Sequence, residues 1–286
     1  MAKIKGIILD IDGVIVGEKI GFNSPDPHPD VIKRLKEIRK QGIFVSLCTG
    51  KPHFAIKSII EAAELNNMHI TDGGGVIIDP IDNIIVKKHI IDKATATEVL
   101  KMCLENNIYT EFYTVDSYVV QKSQVSDITA QHTHILQQKP KLVDSLLDES
   151  AISEITKIMP IALDEEDKKR VSKLFEPFKD KLTLSWGIHP IALPLQFEIV
   201  TAPGISKKQG AIDISESTGV SFENMLGVGD SGSDWQFISL CKYGAAPENA
   251  SQELKDLVMT KGGGNAYIGG HVDENGILEI LNNFLK

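Results

Sequence analysis

The apolar positions of this chain fall into two rhythms. Residues 5–10, KGIILD, form a near-continuous aliphatic run, the pattern of a strand covered on both faces. In residues 29–41, PDVIKRLKEIRKQ, the positions Val31, Ile32, Leu35 and Ile38 recur at helical spacing, and Gly42 ends the helix. Residues 43–48 read as a second strand and 54–65 as a second helix. Short strands at 69–71 and 76–78 flank Asp72-Gly73-Gly74-Gly75. Strands that alternate with helices predict a parallel sheet.

From about residue 83 the rhythm changes. Residues 95–106 are helical, but 109–113 and 117–121 have the look of a hairpin. Residues 164–178 predict a charged amphipathic helix with Asp164 as its N-cap. Residues 182–186 and 195–200 read as strands. Past Gly204 the alternation resumes, with a helix at 207–217, a strand at 224–229 and helices at 234–241, 251–259 and 277–285. The pattern predicts an α/β fold: a Rossmann-like parallel-sheet core built from both ends of the chain, with an inserted α+β module. The expected limits are 1–82 for the first part of the core, 83–192 for the module and 193–286 for the second part of the core.

Composition narrows the function classes. The 286 residues are 42% hydrophobic and 24% charged, ordinary for a globular protein with a sizeable core. No apolar run approaches the roughly 20 residues of a membrane helix, and the N-terminus lacks the pattern of a secretory signal, so the expected location is the cytoplasm, with no membrane partner. Thirty Lys and Arg against 39 Asp and Glu give a net charge of −9, which disfavours nucleic acid as a partner. The three cysteines, Cys48, Cys103 and Cys241, have neither disulfide nor zinc spacing and read as small buried apolar residues.

The chemistry gathers at predicted strand ends, where open α/β sheets bind ligands. Asp10-Ile11-Asp12-Gly13 places two carboxylates two residues apart, on one face of an extended chain. Thr49-Gly50-Lys51 offers a hydroxyl and backbone N–H groups to an anion. Gly227-Val-Gly229-Asp230-Ser231-Gly232-Ser233-Asp234 adds two more carboxylates in a loop that enters a helix. Asp10, Asp12, Asp230 and Asp234 together make a cluster that a cation would have to reconcile. Oxygen-only donors favour a hard ion, and Mg²⁺ is the usual one beside phosphate. The third segment also fits GxGxxG, but acidic residues in and after it oppose a pyrophosphate cradle. Lys207, at a helix start, opposes the helix dipole, yet gains a role near carboxylates and phosphate.

With these segments in this order, the sequence resembles the haloacid dehalogenase (HAD) superfamily, within its Cof-type, IIB-capped phosphatases. DIDG (10–13) resembles the first motif of that family and TGK (49–51) the second. GISKKQGA (204–211) resembles the third motif and GDSGSD (229–234) the fourth. ITDGGGVIID (70–79), PENASQELK (247–255) and DENGILEIL (273–281) are similar to further stretches of the family. The likeness covers about 190 core residues, while the cap is matched only in position and size.

The resemblance implies a Mg²⁺-dependent phosphatase of a small phosphorylated metabolite, such as a sugar phosphate. Asp10 would be the nucleophile, forming an aspartyl-phosphate, and a metal ligand. Asp12 would be the general acid and base, and would lend its backbone carbonyl to the metal. Thr49, Gly50 and Lys207 would hold the phosphoryl group. Asp230 would complete the metal site, with Asp234 a ligand through water or a supporting carboxylate. Val14, Lys51 and Ser233 depart from the usual Thr, Arg and Asn, which bears on rate more than on reaction class. A phosphomutase with the same aspartyl-phosphate, or a non-catalytic binding protein of this fold, are the alternatives. His132, His134 and Trp186 are candidates for the pocket, although each taken singly reads better as core or surface.

Overall fold

A computed structural model describes residues 4–81 and 84–285. Five parallel strands form the core sheet in the order Ala266–Ile268, Tyr243–Ala246, Met225–Val228, Gly6–Leu9 and Phe44–Leu47. The aliphatic run near the N-terminus thus lies inside the sheet, and its side chains alternate between two layers. Ile7 and Leu9 pack with Val31, Leu35, Ile38 and Ile280, under the helices Pro29–Lys40 and Ile277–Phe284. Ile8 packs with Ala211, Ile214, Phe237 and Leu254 on the opposite face. Burial on both faces is why this strand carries no polar residue. His69–Thr71, Val76–Asp79 and Ile84–Lys88 form a separate antiparallel sheet, and Ile70 bridges to Cys48 beside the core.

The inserted module carries a six-stranded sheet. Its order is Thr183–Gly187, Gln196–Thr201, Lys157–Ala162, Tyr109–Tyr113, Tyr118–Gln121 and Lys141–Val143. One face packs on the helices Lys93–Glu105 and Glu165–Phe175 through Phe112, Ile158 and Val200. The other face, with Tyr113, Met159 and Phe197, packs on the helix Asp127–Leu136 and looks toward the core. Asp164 caps its helix by accepting from the backbone N–H groups of Glu166 and Asp167, as expected.

The expected limit between residues 82 and 83 lies outside the described residues. The expected limit at 192 falls short of the sheet: Gln196–Thr201 hydrogen-bonds to Thr183–Gly187 and to Lys157–Ala162. We therefore place the second limit after Thr201. Lys157–Ala162 escaped the periodicity because it begins with lysine and contains Pro160, which argues against an interior strand. The three cysteines are free and buried, as expected. Among the described residues no helix is long and apolar enough to cross a membrane.

Candidate active site

The parallel core strands bring their carboxyl ends to one edge. Leu9 leads directly into Asp10, whose backbone N–H donates to the Val228 carbonyl at 3.0 Å. Asp10 Oδ1 accepts from the Ile11 N–H at 2.8 Å, and Oδ2 accepts from Lys207 Nζ at 2.9 Å. Gly13 then turns the chain with φ of 75°. A Cβ there would lie 2.0 Å from Asp230 Oδ2, so glycine is required twice over.

Lys207 is the first residue of the helix Lys207–Thr218, which Ser206 caps. Its amine also donates to Asp234 Oδ1, at 2.6 Å. Burial alone would lower its pKa, but Asp10 and Asp234 raise it well above the ordinary lysine value. The pair of carboxylates thus offsets the unfavourable helix dipole.

Asp234 Oδ2 accepts from the backbone N–H groups of Asp230 and Ser231, each at 3.0 Å, and from the Ser231 hydroxyl at 3.1 Å. Burial would raise the proton affinity of Asp234, yet Lys207 and the Ser231 donor hold it low. Both of its oxygens are therefore in use, and it fits a supporting carboxylate that fixes Lys207 and the loop.

Asp10, Asp230 and Asp234 each offer an oxygen within 4.8 Å of the others. Burial and Asp234 push the carboxyl of Asp10 up to about 8, against the pull of Lys207. Burial, Asp234 and Asp10 raise Asp230 well above the carboxylate range. Three carboxylate oxygens this close together, with no nitrogen or sulfur donor among them, make a set that fits a hard divalent cation. The side chain of Asp12 stands apart from this cluster. Its Oδ1 accepts from Lys51 Nζ at 2.8 Å and lies 3.1 Å from His189 Nε2. Burial would raise its pKa, but Lys51 and His189 outweigh burial and hold it far below the carboxylate range. Four carboxylates were expected to converge; the side chains of three do, and that of Asp12 turns to Lys51 and His189.

Thr49 and Gly50 line the same cavity as Asp10 and Lys207. Thr49 is buried, and its hydroxyl accepts from the Lys51 N–H at 3.1 Å. The Gly50 carbonyl accepts from Lys157 Nζ at 2.7 Å.

Two residues that bear on the site, Lys157 and His189, escaped the sequence reading, and a third, Lys51, was named there without its partner. Lys157, fully buried, reaches from the cap sheet to Gly50 and lies 2.9 Å from Asp72 Oδ1. His189 comes from the cap loop after Gly187, and Lys51 proves to be the partner of Asp12. A lysine heading an apolar strand was the only sequence signal for Lys157, and His189 gave none. Of the pocket candidates, His132 lines the cavity. His134 is exposed, and Trp186 is half-buried beside Lys168, away from the cavity.

The fold is a Rossmann-like sheet whose carboxylate-bearing edge is roofed by an inserted α+β cap. Comparison with known proteins agrees. Haloacid dehalogenase-like hydrolases as a family match residues 7–281. The chain belongs to this family, in its Cof-type branch, and its enzyme class is phosphoric monoester hydrolase. It is 23% identical to Phosphatase YwpJ of Bacillus subtilis, over 88% of this chain and 92% of that one. It is 22% identical to the 5-amino-6-(5-phospho-D-ribitylamino)uracil phosphatase YwtE of the same organism, over 99% and 98%. Its fold is similar to that of a haloacid dehalogenase-like hydrolase from Bacteroides thetaiotaomicron, with a TM-score of 0.82 at 19% identity over 99% and 100% of the chains. A HAD subclass IIB sugar phosphatase superposes with a TM-score of 0.79 at 21% identity, over 98% of each chain.

Proposed function

We propose that this enzyme hydrolyses a small phosphorylated metabolite with a divalent cation, Mg²⁺ by the chemistry of its donors, and carries the phosphoryl group on Asp10. The observation that supports this most is the buried Asp10–Lys207–Asp234 array at the strand edge, with Asp230 completing three convergent carboxylates. Asp10 and Asp230 would hold the cation with the Asp12 carbonyl, while Asp234 supports them. When bound, the cation supplies positive charge to the phosphoryl oxygens.

The steps fall to the chain's own groups. An Asp10 oxygen attacks phosphorus, and the bond from phosphorus to the alcohol oxygen breaks. Thr49, Gly50 and Lys207 hold the phosphoryl oxygens as charge shifts. Lys51 and His189 keep Asp12 ionised before substrate arrives. The incoming phosphate dianion raises its proton affinity, Asp12 takes up a proton from solvent, and it passes that proton to the departing alcohol oxygen. Asp12 then takes a proton from water, which attacks phosphorus and frees Asp10 with inorganic phosphate.

Sugar phosphates are the class expected from sequence. The relative named as a ribitylaminouracil phosphatase extends the candidates to esters of sugar-derived alcohols. A phosphate-release screen over many esters, with Mg²⁺, with EDTA and with added Ca²⁺, tests the reading. Release that needs Mg²⁺ and falls with Ca²⁺ is expected, because Ca²⁺ takes more ligands at longer distances. Full activity after exhaustive EDTA removes the metal from the account. An isomeric ester in place of free phosphate would make the enzyme a phosphomutase.

A further inference from the structure

Core and cap enclose a cavity of about 660 Å³, part of it open to solvent. Its core wall holds Asp10, Thr49, Lys207 and Asp230, where the phosphoryl group fits. The cap wall is different. Ile135, Leu136, Met159, Ile188, Phe197 and Ile199 face the cavity there. Four polar cap side chains also line it, and each has at least one atom held by a neighbour. The Tyr113 hydroxyl donates to Glu111. His132 Nδ1 lies 2.6 Å from Glu111 Oε1. Lys157 is held by Asp72, by the Gly50 carbonyl and by the Tyr113 ring, 3.6 Å below its amine. His189 Nε2 faces Asp12. On the core side the Ser231 and Ser233 hydroxyls bond to each other at 2.9 Å.

We infer, resting on the phosphatase reading above, that the alcohol half of the substrate is uncharged and carries a flat ring or similar apolar body that lies against the cap, and is not a free sugar. A sugar brings several hydroxyls that must exchange water for protein partners. Hydroxyls turned toward an apolar wall without a partner weaken binding. This wall has few donors or acceptors to spare, and its apolar side chains favour apolar surface. A second phosphate or a carboxylate is disfavoured too. Lys157, the lysine of the cap wall, is neutralised by Asp72, so an added anion would be buried without a partner. Three rings of the cap line the cavity, those of Tyr113, His132 and Phe197, the last two 5.3 Å apart centroid to centroid. His189 Nδ1 is buried without a protein partner, so the cap wall presents no free donor there to a sugar hydroxyl.

The test compares primary-alcohol esters, so that the leaving group is matched. 2-Phenylethyl phosphate and 2-(indol-3-yl)ethyl phosphate are set against glucose 6-phosphate, ribose 5-phosphate and fructose 1,6-bisphosphate, with kcat and KM measured for each. The ring-bearing esters are expected to exceed the sugar esters in kcat/KM by about 10-fold or more, chiefly through KM. The bisphosphate is expected to be the poorest. Ile199→Thr and Ile188→Ser, checked for unchanged melting, are expected to narrow the gap about 3-fold. Sugar monophosphates turned over as well as, or better than, the ring-bearing esters would overturn this inference and leave the phosphatase reading standing. No phosphate release from any ester would overturn both.

Discussion

The core wall and the cap wall of the cavity use buried charge in opposite ways. On the core wall, Asp10, Asp230 and Asp234 crowd together around one lysine, and two of them are held at raised proton affinity. In the function we propose, that wall takes a cation and a phosphoryl group. On the cap wall, Lys157 is matched by Asp72, and His132 and Tyr113 by Glu111. Those pairs hold a shape and leave little charge over for a ligand. The lesson is a division of labour: unsatisfied charge marks where chemistry happens, and satisfied charge inside an apolar wall marks where a substrate is sorted.

The contrast can be broken at four points. The largest effect is expected at Asp10. Asp10→Asn should lower turnover by about 10⁴-fold or more, beyond the roughly 10²–10⁴ of general acid–base catalysis. Because it relieves repulsion among carboxylates, it should leave the metal-free protein no less stable. Phosphate release and thermal melting check both halves, and a variant that keeps more than a tenth of the activity removes Asp10 as nucleophile.

Asp12→Asn should cost about 10²–10⁴-fold, unequally across substrates. The carbonyl is kept and the acid is lost, so an alkyl ester suffers in the first step more than an aryl ester. With an aryl ester, the second step lacks its base, and a burst of phenolate followed by slow turnover is expected. Equal losses with no burst would make Asp12 structural.

On the cap side, Lys157→Met leaves the Asp72 carboxylate buried alone and should destabilise the fold by about 3–5 kcal/mol. Adding Asp72→Asn, which keeps a residue tolerant of the φ of 51° at that position, should restore a good part of the loss. Denaturant midpoints give the numbers. A loss under about 1 kcal/mol would mean that the cap is not braced through this pair.

The last effect is seen only against pH and belongs to Glu198, whose Oε2 is buried without a partner on a strand of the cap sheet. Burial pushes its carboxyl from an ordinary 4.5 up to about 8. The folded state therefore binds a proton that the unfolded state releases, and its stabilising effect is full below about 4.5 and lost as pH rises toward 8. Over that window stability should fall by at most about 1.4 kcal/mol per pH unit. Glu198→Gln should flatten the slope, and an unchanged slope would place its cause elsewhere.

The same two walls explain what the sequence could reveal. Core elements were legible because each strand end carries its chemistry in one short segment. Asp10 to Gly13, Thr49 to Lys51 and Gly229 to Asp234 need no knowledge of tertiary contacts to be noticed. The cap wall draws on residues far apart in the chain: Tyr113, His132, Lys157, His189 and Phe197 come from five separate elements or loops. Each looks ordinary alone. Lys157–Ala162 hid behind its proline, and the helix Asp127–Leu136 went unread although Ile135 and Leu136 end it with an apolar pair. Asp12 shows the limit most sharply. Alternation placed it beside Asp10, but Lys51 and His189 draw its carboxylate aside, and neither contact is written in local spacing.

The central claim is that Asp10 carries the phosphoryl group between two half-reactions, and acid-quench mapping tests it directly. Enzyme with the Asp12→Asn substitution is mixed with an aryl phosphate labelled at phosphorus, quenched in acid within the burst, and digested. The label should sit on the peptide that contains Asp10, in an amount matching the phenolate burst, and it should vanish when Asp10→Asn is added. Phenolate released in a burst with no label on protein, or with label on any other residue, would contradict the account.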